Sequence, residues 1–192
     1  MSTLRKHLLW EDRICPWWLA YTFDHKLRRL IHKPEKMFAP YLREGMTALD
    51  VGCGMGFFTI GMAYIVGAAG AVIAVDLQQQ MLDNLERRAK RAGVAERIVR
   101  HRCEPDNIGN HQNVDFALTF WMVHEVSDAR NLSQQIYAAL KPGGKYFLVE
   151  PKIHVSAARF QNTVALVQQA GFNVLAPPPV ALSRAVVFEK NA

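Results

Sequence analysis

Ala48-Leu49-Asp50-Val51-Gly52-Cys53-Gly54-Met55-Gly56 reads as a short buried strand entering a glycine-rich turn, with a helix opening near Phe57. Three glycines at alternate positions let the backbone bend sharply and let a ligand lie against it without meeting a Cβ. Asp50, at the strand's end, puts a carboxylate beside that ligand. About twenty residues past the turn, a second apolar run, Ala71-Val72-Ile73-Ala74-Val75, ends in Asp76. An acid at the tip of the second strand of a βαβ unit is placed to accept hydrogen bonds from two ribose hydroxyls. Together these features predict a nucleoside-bearing cofactor at the first crossover.

Spacing narrows the cofactor. The dinucleotide fingerprint G-x-G-x-x-G/A seats a pyrophosphate on a helix N-terminus. Here the order is G-x-G-x-G, and the position reserved for a third small residue carries Phe57. A bulky ring there disfavours an NAD-binding reading. The D-x-G-x-G-x-G form resembles motif I of the class I S-adenosylmethionine (SAM)-dependent methyltransferases, whose cofactor has a carboxylate and an ammonium but no phosphate.

The resemblance runs along most of the chain. Leu77 to Leu82 is similar to the family's passage from second strand to helix, and Cys103-Glu104-Pro105-Asp106 stands where relatives meet the adenine. Glu104 takes the acid's position there, although Cys103 and Pro105 depart from the usual Gly-Asp-Ala run. Val114 to Phe120 looks like the fourth strand, followed by the loop Trp121-Met122-Val123-His124-Glu125-Val126. Leu140-Lys141-Pro142-Gly143-Gly144 resembles the "LKPGG" turn before the fifth strand, and Ala170-Gly171-Phe172 the "AGF" exit of the last helix. The resemblance implies a cofactor site of Asp50, Gly52, Cys53, Gly54, Gly56, Asp76, Leu77, Cys103, Glu104 and Phe120. It extends to the small-molecule group that includes the ubiquinone/menaquinone-type enzymes.

Composition suits one soluble α/β domain. The 192 residues are half apolar, enough for a three-layer core. No apolar run approaches the eighteen or so residues that span a bilayer, and the N-terminus lacks a signal-peptide pattern. Three dispersed cysteines, Cys15, Cys53 and Cys103, without CxxC spacing, suit a reducing cytoplasm. Alternating strands and helices predict a Rossmann-like, doubly wound, three-layer α/β/α fold. Strands are expected near 47–51, 71–76, 97–102, 114–120 and 144–150, then an antiparallel pair over 172–175 and 181–188. The family's seven-stranded order is 3-2-1-4-5-7-6, with the last strand antiparallel. Helices are expected from Leu77 to Ala92, stopped by Gly93, from a Ser127 cap to Leu140, and from a Ser156 cap to Ala170.

Residues 1–44 read as a helical cap segment on a SAM-binding domain over 45–192. Trp17, Trp18 and Tyr21 are candidates for an aromatic wall, because ring faces attract a sulfonium. Trp121 and His154 are further candidates for acceptor contacts. The cofactor is already activated, so the protein's task is to orient an acceptor and exclude water; no covalent nucleophile is required. Where the acceptor must lose a proton, His124 is the best-placed base, with Glu125 beside it and Glu150 and His154 next in order. The bland reading of His124-Glu125 is a loop pair that caps the following helix.

Other specialisations fit less well. The Asn/Asp-Pro-Pro-aromatic motif of base and glutamine amide methylases is replaced by Phe120-Trp121-Met122-Val123. Seven histidines lack ligand spacing, so no metal is expected. The net charge of +6 and pI near 9.4 would suit an anionic partner. Nine Lys/Arg against five Asp/Glu lie in residues 1–44, and a second cluster is Arg87-Arg88-Ala89-Lys90-Arg91. A small-molecule acceptor is favoured; RNA is the nucleic-acid alternative, and a regulatory module that binds SAM or S-adenosylhomocysteine without turnover is the non-enzymatic one.

Overall fold

β1 (Thr47–Val51) is the centre from which the molecule is built, since its five residues pair in parallel with β2 (Ala71–Asp76) on one side and β4 (Val114–Phe120) on the other. The computed structural model describes residues 31–191. β3 (Ile98–Arg102) and β5 (Leu140–Pro151) extend the parallel sheet, and β7 (Ser183–Lys190) runs antiparallel between β5 and β6 (Phe172–Ala176). The order is β3-β2-β1-β4-β5-β7-β6, the expected one.

Side chains alternate across the sheet, so each strand feeds two cores. Ala48, Val72, Ala74, Phe116, Leu118, Phe147, Val149 and Val187 face one layer; Leu49, Val51, Val75, Ala117, Tyr146, Leu148 and Phe188 face the other. The first layer is covered by α1 (Pro34–Phe38), α2 (Phe57–Val66) and α3 (Gln79–Ala92). The second is covered by α4 (Ala129–Ala139) and α5 (Ala157–Gln169). α3 buries Met81, Leu82, Leu85 and Ala89 at helical spacing and leaves Arg87, Lys90 and Arg91 exposed; Gly93 ends it in a left-handed conformation.

Residues 31–44 belong to the first layer. Phe38 is wholly buried against Phe58, Phe116 and Phe147, and the absent side chain of Gly61 admits Pro34 to the surface of α2. His32 lies near the carboxyl end of β4, its ring against Phe120 and Trp121 and its Nε2 3.1 Å from Ala181 O.

Several boundaries differ from the sequence reading. The cap of α4 is Asp128, whose carboxylate accepts Asn131 N–H at 2.9 Å, whereas Ser127 donates its hydroxyl to Asp106. α3 starts at Gln79, two residues late, because Asp76 Oδ1 takes the Gln78 N–H and holds the chain out of the helix. β5 begins at Leu140, which pairs with Val114 before the irregularity at Pro142-Gly143. β7 begins at Ser183 after Leu182, which has a φ of 59°. Asp128→Ala is expected to cost about 1 kcal/mol of stability in denaturant unfolding, and Ser127→Ala a few tenths at most. Equal losses would return the cap to Ser127.

Candidate active site

The bend after β1 is fixed from behind. Gly52 and Cys53 N–H both donate to Val75 O at 2.9 and 3.0 Å, and Arg88 of α3 donates to Met55 O at 2.9 Å. Gly52, Gly54 and Gly56 all have positive φ, of 72°, 53° and 82°. Their surroundings differ. A Cβ on Gly52 would come within 2.8 Å of Met122, and one on Gly56 within 2.1 Å of Leu85. A Cβ on Gly54 would meet nothing within 4 Å. The middle glycine is therefore the bare side of the bend, and the flanking two are packed against protein.

Asp76 stands at that bare side. Its Oδ2 accepts Gly54 N–H and its Oδ1 accepts Gln78 N–H, each at 2.9 Å, and only 8% of the residue is exposed. Burial pushes its carboxyl above the ordinary value, while the hydrogen bonds from the Gln78 and Gly54 amides pull it down. A carboxylate has about four acceptor sites, so capacity remains toward the open glycine after the Gly54, Gln78 and Leu77 amides are bound. Two acceptors side by side beside an open glycine match a vicinal diol, and the residues present fit an adenosine ribose.

Asp50 is buried rather than open to the crevice. It accepts the Thr59 hydroxyl at 2.5 Å, and so ties β1 to the first turn of α2. Cys53 and Cys103 are buried free thiols on opposite faces of the sheet. Burial, and then the charge of Asp76, pushes Cys103 to about 11 and Cys53 well above its usual value, with Asp50 adding to the latter. Buried thiols held in the protonated form act as small apolar walls. Among the described residues no group of three or more His, Cys, Asp or Glu converges as a metal site.

Leu77 packs toward the second layer, and Phe120 turns into the first, its ring 4.1 Å from that of Phe58. Glu104 is exposed in a tight turn whose backbone pairs with Asn107. Trp17, Trp18 and Tyr21 lie outside the described residues.

The loop after β4 carries the other half of the site. Trp121 is held at a φ of 60°, which costs a non-glycine residue on the order of 1–3 kcal/mol. Its N–H bonds Val149 O at 2.8 Å and its indole N–H donates to Ser183 Oγ at 2.9 Å. A 3₁₀ turn, Val123–Glu125, then presents His124. Its hydrogen-bond partner is Glu150, with Nδ1 to Oε2 at 2.5 Å, and not the adjacent Glu125, whose Oε1 is 3.9 Å from Nε2. Glu150 is 1% exposed and accepts Val123 N–H at 2.9 Å through Oε1. The His154 ring lies nearly parallel to that of His124 at 6.1 Å, and Arg159 donates to His124 O at 2.9 Å. A cavity of about 380 Å³ adjoins His124, walled by Ser127, Asp128, Arg130, Arg159 and Asn162. A second, of about 340 Å³, lies at the opposite ends of the strands around Tyr41, Arg43, Lys141 and Lys145.

Sequence reasoning missed the roles of Thr59, Arg88 and Ser183, and ranked Glu150 only as an alternative base. Pairing between strand tips is what joins Glu150 to a loop twenty-six residues earlier, and no local pattern signals it.

The family described as "Methyltransferase domain" matches residues 48–144. A demethylmenaquinone methyltransferase of Lactobacillus johnsonii is 31% identical over 110 residues, covering 57% of this chain and 45% of that protein. A ubiquinone/menaquinone biosynthesis C-methyltransferase of Escherichia coli is 29% identical over 115 residues, covering 57% and 44%. The chain thus spans about half the length of the curated relatives it matches. A SAM-dependent methyltransferase structure from Aquifex aeolicus superposes with a TM-score of 0.83 at 23% identity, over 92% of this chain and 99% of the other. That likeness establishes the fold.

Proposed function

We propose, for a chain that belongs to the methyltransferase domain family, that it transfers a methyl group from SAM to a small-molecule acceptor. The observation that carries this reading is the pairing of a bare Gly54 with the buried Asp76 carboxylate at the tips of β1 and β2. Asp76 would hold the ribose diol, and Gly54 would let the cofactor lie against the backbone. Leu77, Cys103 and Glu104 would line the adenine side. When bound, the cofactor supplies a methyl group on a positively charged sulfur, ready for in-line displacement.

The chain's own contribution is orientation and proton handling. Holding the two reactants in line can supply on the order of 7–11 kcal/mol of the barrier. Asp50 and Thr59 keep the bend fixed to α2, so the cofactor meets a preformed surface. His124 would take a proton from the acceptor, with Trp121 and His154 beside it. The segment ahead of His32 would close the crevice, with Trp17, Trp18 and Tyr21 facing the acceptor, while residues 34–44 pack in the first layer. The position of His32, against Phe120 and Trp121, supports that route for the preceding chain. The names of the quinone-methylating relatives make a reduced quinone the first acceptor to try. Free Cys53 and Cys103 thiols suit a reducing, cytoplasmic setting. Among the described residues no helix is long and apolar enough to cross a membrane.

Calorimetry with SAM, S-adenosylhomocysteine and NAD tests the cofactor. Binding of the first two and not the third is expected. Methyl-labelled SAM with a panel of phenols, reduced quinones and RNA then tests transfer. NAD binding alone, or SAM binding with no labelled product from any acceptor class, would overturn the enzymatic reading.

A further inference from the structure

Glu150 is a buried carboxylate that the fold does not need for its sheet. β5 pairs with β4 and β7 through backbone bonds, and removing a carboxylate from water costs several kcal/mol unless donors surround it. Here both oxygens face the loop after β4: Oε1 receives Val123 N–H at 2.9 Å, and Oε2 lies 2.5 Å from His124 Nδ1. Arg159 donates to the main-chain carbonyl of His124 at 2.9 Å and so holds its backbone, and the His154 ring lies parallel to the imidazole at 6.1 Å.

We propose that Glu150 is the positioning residue that fixes the tautomer of His124, with the proton on Nδ1 and the acceptor lone pair on Nε2, and that the methyl acceptor is a phenolic or enolic hydroxyl compound. This rests on the reading that the neighbouring crevice holds the methyl donor. A carboxylate offers acceptors only, so the hydrogen between it and Nδ1 comes from the ring. The Nε2 lone pair is then left to take a proton, since Glu125 stands 3.9 Å away, beyond hydrogen-bond length. As the new bond to the methyl carbon forms and the carbon–sulfur bond breaks, its electron pair stays on sulfur and the acceptor's proton passes to Nε2. Glu150 then faces the positive imidazolium that results.

The acceptor class follows from matching proton affinities. A thiol, near 8.5, is already partly ionised at neutral pH and gains little from a base. A phenol, near 10, keeps its proton at neutral pH and gains from a base that takes it as the new bond forms. An acceptor without a removable proton would give Nε2 nothing to do.

The test is nitrogen-15 NMR of the His124 ring in the full chain, which reads the tautomer without an acceptor. The wild-type protein is expected to show a protonated Nδ1 and a bare Nε2. Glu150→Gln should invert this. Val123 N–H keeps the amide oxygen on its side, so the amide NH₂ faces Nδ1 and the proton moves to Nε2. With a hydroquinone as probe acceptor, the same variant should lose about 100-fold in kcat, a typical general-base contribution. SAM affinity by calorimetry should be unchanged. A bare Nδ1 in the wild-type protein, or an unchanged tautomer and full turnover in Glu150→Gln, would overturn the role of Glu150 while SAM binding still stood. Absence of SAM binding by the wild-type protein would instead overturn the functional reading on which this one rests. Should Glu150→Gln fail to fold, the wild-type tautomer alone decides. Methylation of a thiol with none of the phenols would overturn the acceptor class.

Discussion

Asp76→Asn is expected to weaken SAM binding about 100-fold, because it removes the charge and one of two acceptors from a pair of hydrogen bonds worth about 1.5–3 kcal/mol each. Asparagine keeps the shape and one oxygen, so the fold survives and the effect reads on the ligand. The pH dependence gives a second signature. Burial raises the Asp76 carboxyl above its ordinary value. A raised value in the folded state means that the group stabilises the ligand-free protein at pH below its unfolded value. That contribution is lost as the pH rises through the folded value. Cofactor affinity runs the other way, since only the carboxylate accepts two hydroxyl donors: it falls as the pH drops through the raised value. Titrations upward from the ordinary carboxylate range should show opposite slopes for ligand-free stability and for SAM affinity. Both contributions should vanish in Asp76→Asn. Equal affinity in the two proteins would remove Asp76 from the ribose.

Gly54→Ala and Gly56→Ala separate binding from folding on one bend. Both positions have left-handed φ, which costs an alanine about 1–2 kcal/mol. At Gly54 nothing else stands in the way, so stability should fall by no more than about 1–2 kcal/mol. The new methyl occupies the space where the cofactor lies, and affinity should fall about 10-fold or more, roughly the effect of misplacing one good contact. At Gly56 the methyl would sit 2.1 Å from Leu85 Cδ1, and Leu85 is wholly buried. Overpacking of that kind adds about 1–3 kcal/mol, for a total near 2–5 kcal/mol. Denaturant unfolding and calorimetry on the two variants give the comparison. A Gly54→Ala protein with full SAM affinity would mean that the bare side of the bend is not where the ligand lies.

Much of the fold was legible because its signals are local. The apolar runs 47–51, 71–76 and 114–120, and the stops at Gly93 and Gly171, follow from backbone conformation and side-chain periodicity alone. The α4 cap was misassigned because Ser127 and Asp128 are both good caps and adjacent. Asp106, brought in from the loop after β3, draws the serine hydroxyl away. His124 was identified by its place after the fourth strand, with Glu125 beside it and Glu150 as a further candidate base. Succession along the chain does not report which carboxylate the ring turns to.

The amino-acid sequence by itself determined the order of elements, the glycine bend and the acid that ends the second strand, because each is written within a few consecutive residues. Only the tertiary structure decided which of three glycines is bare, which aspartate stays at the crevice and which glutamate holds His124. Those outcomes depend on Met122, Leu85, Thr59 and Val123 arriving from other elements. The direction of a side chain at a strand tip is set by what the neighbouring strand's loop places against it.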